Sequence, residues 1–227
     1  MEKTFEEIKS LDIKVYQPIK GYRYNEDSFL LIDFIKNIKK GSKIIELCAG
    51  SGIIGLSLLK RFPFVRITFV EINETMFNIL NENICINELQ DRAQTILSDY
   101  RNLNKNLYFS FDYVVANPPY RKPGTGRISA DEQKATARHE LSASLEDLLK
   151  ISSLLLKDKG KLYLVFLAER LTELINSMTL FSIEPKILQF VHPKKGVEAK
   201  LVLVKGIKKA NKGVLILPPL FISDNKT

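Results

Sequence analysis

The chain has 227 residues, of which 45% are hydrophobic and 26% charged, and this composition excludes a disordered or collagen-like protein. No run approaches the roughly 20 apolar residues of a membrane span, and the first residues carry no apolar signal core, so we expect a cytoplasmic protein without a membrane partner. The net charge of +8 favours a polyanionic partner such as a nucleic acid, while two cysteines and two histidines are too few for a zinc cluster, so no metal is expected.

The predicted elements alternate between apolar strands and helices. In chain order they are a strand at 43–47, a helix at 52–62, a strand at 65–70, a helix capped by Asn73, strands at 94–97 and 111–116, a helix from Leu145 that Gly160 ends, a strand at 161–167, a helix at 168–178 and strands at 183–192 and 199–205. This alternation is typical of a parallel sheet covered on both faces. The short connection between the last two strands indicates an antiparallel edge strand.

The first 42 residues are more polar and contain one helix, with Phe29 and Leu30 among its apolar positions. We predict that residues 1–42 form a tail and a helix belonging to the same domain as residues 43–227. The two thiols, Cys48 and Cys85, are expected to be small buried side chains.

A glycine-rich turn follows the first predicted strand. Gly50, Gly52 and Gly55 fit the pattern G-x-G-x-x-G, which binds dinucleotides when it joins a strand to a helix. Glycine allows a tight turn and a close approach to a ligand, and the helix start offers unpaired N–H groups. A purely structural tight turn would produce the same pattern, so this motif alone does not decide the function.

Acidic residues end the next two strands. Glu71 lies about 20 residues after the glycines, where a carboxylate accepts hydrogen bonds from the ribose hydroxyls of a nucleoside. Asp99 could accept from an adenine amino group, and Tyr100 could pack on the ring. A solvated acid in place of Glu71, or a turn residue in place of Asp99, is the structural alternative.

The most specific motif is the run Asn117-Pro118-Pro119-Tyr120, directly after the strand at 111–116. The prolines fix φ and remove two N–H donors, so the backbone is rigid and presents carbonyl acceptors. The Asn117 side-chain oxygen and the Pro118 carbonyl could hold both protons of an exocyclic amine and aim its lone pair at an electrophilic methyl group. Tyr120 offers a face on which a planar base can stack.

These motifs, in this order, resemble those of class I methyltransferases that use S-adenosylmethionine (SAM) to modify amino groups. The resemblance covers about Lys43 to Lys205 and implies a Rossmann-like α/β fold, with a mostly parallel sheet of seven strands. It implies that Asn117 lies between methyl donor and acceptor. It also implies a SAM site formed by Glu46, Gly50, Ser51, Gly52, Glu71, Ile72, Asp99, Tyr100 and Asn117. The glycine usual at position 48 is a cysteine here.

The flanks are similar to those of the bacterial tRNA(Val) adenine-37 N6-methyltransferases. The similarity rests on Gln17-Pro18, the run from Tyr22 to Ser28, Arg138-His139-Glu140 and Val191-His192-Pro193. It implies that Asn25 and Asp27 lie near the methionine end of SAM. It implies methyl transfer to N6 of an adenine in tRNA, at position 37 of the anticodon loop.

Two basic segments are the predicted RNA-binding surface. Residues 186–213 hold eight lysines and one acid, and residues 121–138 hold five basic and two acidic residues. The residues assigned to RNA are Arg121, Lys122, Arg127, Arg138, Lys194 and Lys195. For His139 and His192, ordinary polar positions are favoured over catalytic roles.

Several alternatives stay open at this stage. The same motif would suit another exocyclic amine in rRNA or the glutamine amide of a release factor. An NAD-dependent oxidoreductase would explain the glycines and Glu71 but not Asn117 to Tyr120, and a non-catalytic RNA-binding protein would not need the intact acidic residues. The oligomeric state, a monomer or a weak dimer, is left open by the sequence.

Overall fold

The computed structural model describes residues 2–19, 23–119 and 144–222. The helices are α1 (Glu26–Phe34), α2 (Ile53–Arg61), α3 (Glu74–Ile86), α4 (Leu145–Leu155) and α5 (Leu171–Leu180). The strands are β1 (Lys3–Ile8), β2 (Ile13–Pro18), β3 (Lys43–Leu47), β4 (Arg66–Glu71), β5 (Ala93–Leu97), β6 (Phe111–Ala116), β7 (Leu156–Leu167), β8 (Ile183–His192), β9 (Leu201–Lys208), β10 (Leu215–Ile216) and β11 (Leu220–Phe221).

The main sheet has the order β5-β4-β3-β6-β7-β9-β8, with the two-residue strands β10 and β11 both paired to β8. Strands β3 to β7 are parallel, whereas β9 is antiparallel to both of its neighbours. The predicted Rossmann-like α/β fold is therefore confirmed. The antiparallel strand is not at the edge as expected, because β8 lies outside it and runs in the same direction as β7.

The helices cover both faces of this sheet. Alternate residues of one strand enter different cores: Ile44 packs in the core with α1, α2 and α3, and Ile45 packs in the core with α4 and α5. The side chain of Asn73 caps α3 by accepting a hydrogen bond from the Met76 N–H at 3.1 Å. The central strands β3, β4 and β6 are thus buried on both sides.

The N-terminal region differs from the prediction. In place of a tail, β1 and β2 form an antiparallel hairpin, in which Lys3 pairs with Pro18 and Ile8 with Ile13. Ile13 and Val15 of β2 are buried in the same core as α2. The hairpin is therefore packed onto the body of the protein ahead of the predicted helix, which is confirmed as α1.

The boundary between α4 and β7 also differs from the prediction. Helix α4 ends at Leu155 and the chain enters β7 at once, so Gly160 lies inside the strand and does not end the helix. The left-handed residue here is Lys159, with φ of 62°. A Cβ atom on Gly160 would lie 2.8 Å from the Lys157 carbonyl oxygen. This glycine therefore serves a close backbone contact rather than a helix end.

Among the described residues, none of the helices combines the length and the apolar character that a membrane crossing requires.

Candidate active site

The register of the sheet brings three strand ends together. Leu47, the last residue of β3, pairs with Val70 of β4 on one side and with Ala116 of β6 on the other. The residues that follow, Cys48 and Asn117, therefore leave the sheet at the same level as Glu71. Carboxyl ends of neighbouring parallel strands are where ligand sites form in α/β sheets.

The glycine turn has a left-handed backbone at every second residue. The φ angles are 58° at Cys48, 57° at Gly50 and 83° at Gly52. A Cβ atom on Gly52 would lie 2.4 Å from Cδ1 of Leu80, so a substitution would both displace Leu80 and strain the left-handed backbone. Left-handed backbone costs a residue with a Cβ about 1–2 kcal/mol. Cys48, the departure from the resembling family, is thus a strained position.

Glu71 closes this turn. Its Oε2 accepts from the Gly50 N–H at 2.7 Å, and its Oε1 accepts from the Ile72 and Asn73 N–H groups at 3.0 and 2.8 Å. An ionised carboxylate has about four acceptor positions, so the backbone uses most of them. The hydroxyl partners expected for Glu71 have to share this carboxylate with the backbone.

Glu46 lies on β3 beneath the turn and is 2% exposed. Its Oε2 accepts a hydrogen bond from the Gly55 N–H at 2.8 Å. Burial raises the pKa of Glu46 to about 8; the neighbouring charge of Glu71 adds to the shift, and the Gly55 N–H opposes it. The site therefore contains a carboxyl group that changes charge close to neutral pH.

Asn117 is held by a side chain from a distant part of the sequence. Its Nδ2 donates to Oγ of Ser28 at 3.1 Å, and both side chains are buried. Ser28 lies in α1, so this helix reaches the corner that follows β6. Pro118 is buried and Pro119 is exposed. An amide accepts hydrogen bonds only through its oxygen, so Oδ1 is the atom of this side chain that a substrate amine would use.

A small pocket connects the glycine turn with this corner. It is lined by Tyr24, Ser28, Glu46, Cys48, Ala49, Ser51, Ile53, Ile54 and Asn117. Three of the residues assigned to the SAM site, Glu46, Ser51 and Asn117, line this pocket. Sequence reasoning did not assign Tyr24 and Ser28 to the site. No local pattern in the sequence signals their place, because Ser28 meets Asn117 across 89 positions.

Other predicted residues have partners of their own. Asp99 accepts from the Arg101 N–H at 2.9 Å and forms a salt bridge with the Arg101 guanidinium group, and this hydrogen bonding raises the pKa of Arg101. Tyr100 is half-buried against the core beneath α4, and burial raises its pKa. Asn25, exposed, donates from Nδ2 to Oδ2 of Asp27 at 3.0 Å.

The cysteines and His192 also have defined positions. Cys85 is exposed and Cys48 is half-buried, so the prediction of two buried thiols is wrong for Cys85. Burial and the nearby carboxylates raise the pKa of the Cys48 thiol. Nδ1 of His192 lies 2.6 Å from the Val197 carbonyl oxygen across the loop between β8 and β9, which fits the turn position expected for it.

The predicted RNA-binding residues divide into two groups. Lys194 and Lys195 are exposed in the loop after β8. β8 runs parallel to β7, so this loop lies at the carboxyl end of the parallel strands, as the glycine turn does. The remaining predicted residues lie outside the described residues: Tyr120, Arg121, Lys122, Arg127, Arg138 and His139.

Curated proteins with similar sequences are methyltransferases by name. The chain is 28% identical to the tRNA1(Val) (adenine(37)-N6)-methyltransferase of Shewanella woodyi, over 62% of this chain and 58% of that protein. It is 38% identical to the ribosomal protein uL3 glutamine methyltransferase of Francisella tularensis, over 38% of this chain and 27% of that protein. The alignment thus spans little more than half of the Shewanella protein.

Two solved structures have a fold similar to that of this chain. A predicted O-methyltransferase from Agrobacterium tumefaciens superimposes with a TM-score of 0.69 at 20% identity, covering 86% of this chain and 87% of that one. TYW2 from M. jannaschii, solved in complex with AdoMet, gives a TM-score of 0.61 at 16% identity, covering 90% of this chain and 84% of that one. The fold is therefore that of the class I methyltransferases, as predicted.

A family-wide sequence profile described as the methyltransferase small domain matches residues 23–175, more than half of the chain. This region holds α1 with Ser28, the glycine turn and Asn117, which line the pocket, and Glu71, which bonds to the turn. The chain therefore belongs to the methyltransferase small domain family.

Proposed function

We propose that this protein transfers a methyl group from SAM to the N6 amino group of an adenine in tRNA, at position 37 of the anticodon loop of tRNA(Val). The observation that carries the proposal is the buried Asn117 amide, fixed by Ser28 and lining the pocket that begins at the glycine turn. An oxidoreductase has no use for this arrangement, whereas amine methylation needs acceptors at that point.

The residues around the turn fit SAM. Gly52 has a left-handed backbone that disfavours any residue with a Cβ atom, and Glu71 supplies carboxylate oxygens at the end of β4. Glu46 lines the pocket and can carry a negative charge opposite a cationic ligand. When bound, SAM supplies an electrophilic methyl group on a positively charged sulfur.

The chain's own part in the reaction is to orient the amine. Oδ1 of Asn117 and the carbonyl of Pro118 would accept the two N–H groups of the substrate. Holding both protons favours a pyramidal nitrogen, whose lone pair is then available for the methyl group. No side chain has to remove a proton before the transfer, so catalysis rests on positioning and electrostatics.

A tRNA substrate is supported by the relatives' names and by charge. Lys194 and Lys195 are exposed at the carboxyl end of the parallel strands, the end at which the pocket lies. Lysines so placed can bind phosphates while an unstacked base enters the site. An unpaired loop base is cheaper to extract than a paired one. A tRNA substrate also agrees with the predicted cytoplasmic location, which stays a prediction.

Two substitutions test the proposed role of the corner. Asn117→Ala should lower kcat by at least about 100-fold because an acceptor of the substrate amine is lost. Ser28→Ala keeps that acceptor but removes its support, and it should lower kcat by about tenfold. Binding of S-adenosylhomocysteine (SAH), measured by calorimetry, should change by less than about threefold in both variants. Unchanged turnover of Asn117→Ala would reject the proposed role.

Glutamine methylation is the second candidate, favoured by the local match to the uL3 enzyme. A carboxamide presents the same two N–H groups to Asn117 and Pro118. Labelled methyl incorporation into unmodified tRNA(Val), rRNA, ribosomal protein and release factor separates the candidates. Mass spectrometry of nucleosides should then find N6-methyladenosine in the tRNA. Label in protein alone would replace the proposed substrate by a glutamine side chain.

A further inference from the structure

The Asn83 side chain joins the N-terminal hairpin to the glycine turn. Asn83 lies in α3 and is fully buried. Its Oδ1 accepts from the Tyr16 N–H at 2.7 Å, and its Nδ2 donates to the Tyr16 carbonyl at 3.1 Å and to the Ser51 carbonyl at 2.9 Å. One acceptor and two N–H donors are thus all engaged, as a buried amide requires.

Asn87, one turn later in α3, binds the hairpin in the same way. Its Oδ1 accepts from the Lys14 N–H at 2.9 Å, and its Nδ2 donates to the Lys14 carbonyl at 2.6 Å. A helix rises about 6 Å over four residues and a strand advances about 6.7 Å over two. The two amides therefore match the spacing of Lys14 and Tyr16 and cover the free edge of β2. The two amides differ in their second N–H group: Asn87 donates it to the Asn83 carbonyl at 2.7 Å, and not to the glycine turn.

The hairpin also contacts a second residue of the pocket, Tyr24. The buried Gln17 side chain accepts from the Tyr24 N–H at 3.0 Å, and Glu6 accepts from the Tyr24 hydroxyl at 2.5 Å. Tyr24 lines the pocket together with Ser51. One hairpin thus contacts both Tyr24 and, through Asn83, the turn.

We propose that Asn83 is a positioning residue for the cofactor and that the hairpin, Lys3–Pro18, is its anchor. Asn83 fixes the carbonyl of Ser51 and thereby the orientation of the Ser51–Gly52 peptide at the start of α2. The hairpin holds Asn83 in place through the backbone of Tyr16 and holds Tyr24 through Gln17 and Glu6. This inference rests on the proposed function only in taking the glycine turn as the SAM site, and it is independent of the methylated substrate.

The matched variants are Asn83→Ala and Asn87→Ala. Each variant removes a pair of hydrogen bonds to the backbone of one β2 residue, so both should lower the melting temperature. Only Asn83→Ala also removes the contact with Ser51. Calorimetry with SAH, without RNA, should give a Kd raised by about tenfold or more for Asn83→Ala and by less than about threefold for Asn87→Ala. With tRNA as substrate, KM for SAM should rise more than kcat falls in Asn83→Ala.

Asn83→Asp is the second variant, because it keeps the volume and the acceptor for Tyr16 but loses both N–H donors. It should weaken SAH binding by a similar factor to Asn83→Ala. If neither Asn83 variant folds, amide hydrogen exchange of the wild-type protein decides. SAH should then slow exchange at the Tyr16 N–H as well as in the turn, and protection confined to the turn would overturn the proposal. Equal SAH affinities of the Asn83 and Asn87 variants would reject the positioning role alone. A wild-type protein that does not bind SAH would reject the proposed function as well.

Discussion

Glu46 combines a raised pKa with a position in the pocket. With a pKa of about 8, this carboxyl group is mainly protonated at pH 7. A cationic ligand beside it favours the charged carboxylate and lowers its pKa in the complex. Binding of SAM should therefore release a proton at neutral pH, and the group links affinity to pH.

The first prediction follows from the release of a proton on SAM binding. Below pH 8 the affinity for SAM should rise with pH by up to about tenfold per unit, because the free protein must lose a proton to reach the charged form. Above pH 8 the rise should level off. Calorimetry at several pH values, in two buffers of different ionisation enthalpy, measures both the affinity and the protons released.

Glu46→Gln is the control for this prediction. Glutamine keeps an oxygen acceptor for the Gly55 N–H, so the fold around α2 should persist, but it cannot ionise. The variant should bind SAM more weakly at pH 8 and should lose the part of the pH dependence that Glu46 contributes. The same slope in both proteins would assign the proton to another group.

At the scale of single elements, the end of α4 depends on a lysine from another strand. Lys208 of β9 is 4% exposed, and its Nζ donates to the carbonyls of Ser153 and Leu156 at 2.5 and 2.8 Å. The ammonium group also lies 4.4 Å from the centroid of the Phe109 ring. A cation at a helix C-terminus satisfies carbonyls that have no partner within the helix.

Lys208→Met tests this contact because methionine retains most of the apolar stem. The loss of charged hydrogen bonds to two carbonyls should lower the unfolding free energy by about 1.5–3 kcal/mol in urea denaturation. Lys209→Met is the matched control: Lys209 pairs with Asp158 at the surface, and its loss should cost less than about 1 kcal/mol. Equal losses would mean that the helix end does not need Lys208.

The elements also illustrate which features a sequence reveals. The glycine turn, Glu71 and Asn117 were predictable because each is a local motif at the end of an apolar strand, and parallel register then brings strand ends together. The end of α4 was mispredicted because Lys208 caps it from more than 50 residues away. Gly160 therefore resembled a helix stop without being one.

Long-range side-chain contacts explain the other differences. The hairpin was missed for two reasons. β1 is short and charged, so it does not look like a strand. The backbone groups of β2 that face away from β1 are bonded by Asn83 and Asn87, which lie far along the sequence and give no local sign of this contact. Ser28 was not assigned to the site because it meets Asn117 across 89 positions. Periodicity reports burial within one element and carries no information on such pairs.

At the scale of the whole molecule, the lysine-rich segment divides between two ends of the sheet. Lys194 and Lys195 lie at the edge with the pocket. Near the opposite edge, Lys186 donates to the Asn211 carbonyl at 3.2 Å, and Lys208 and Lys209 are bound as described above. Lys194 and Lys195 therefore remain the lysines that we expect to bind RNA, whereas Lys186, Lys208 and Lys209 contact other parts of the fold.

A pair of double variants tests this division. Lys194→Ala with Lys195→Ala should weaken tRNA binding and reduce the slope of log K against log salt by about 1.5–2, because two phosphate contacts are lost. Lys186→Ala with Lys209→Ala removes the same charge at the end of the sheet away from the pocket and should leave the slope nearly unchanged. Filter binding at several salt concentrations measures both, and equal slopes would reject a localised RNA surface.

The hairpin bears finally on where the folding unit starts. The family profile begins at residue 23, yet Ile13 and Val15 are at most 1% exposed within the core that also holds α2. A chain trimmed to that boundary would leave this apolar surface in water and would strip two buried amides of their partners. We infer that the autonomous unit reaches back to β1, so a boundary drawn from family similarity alone would cut through it.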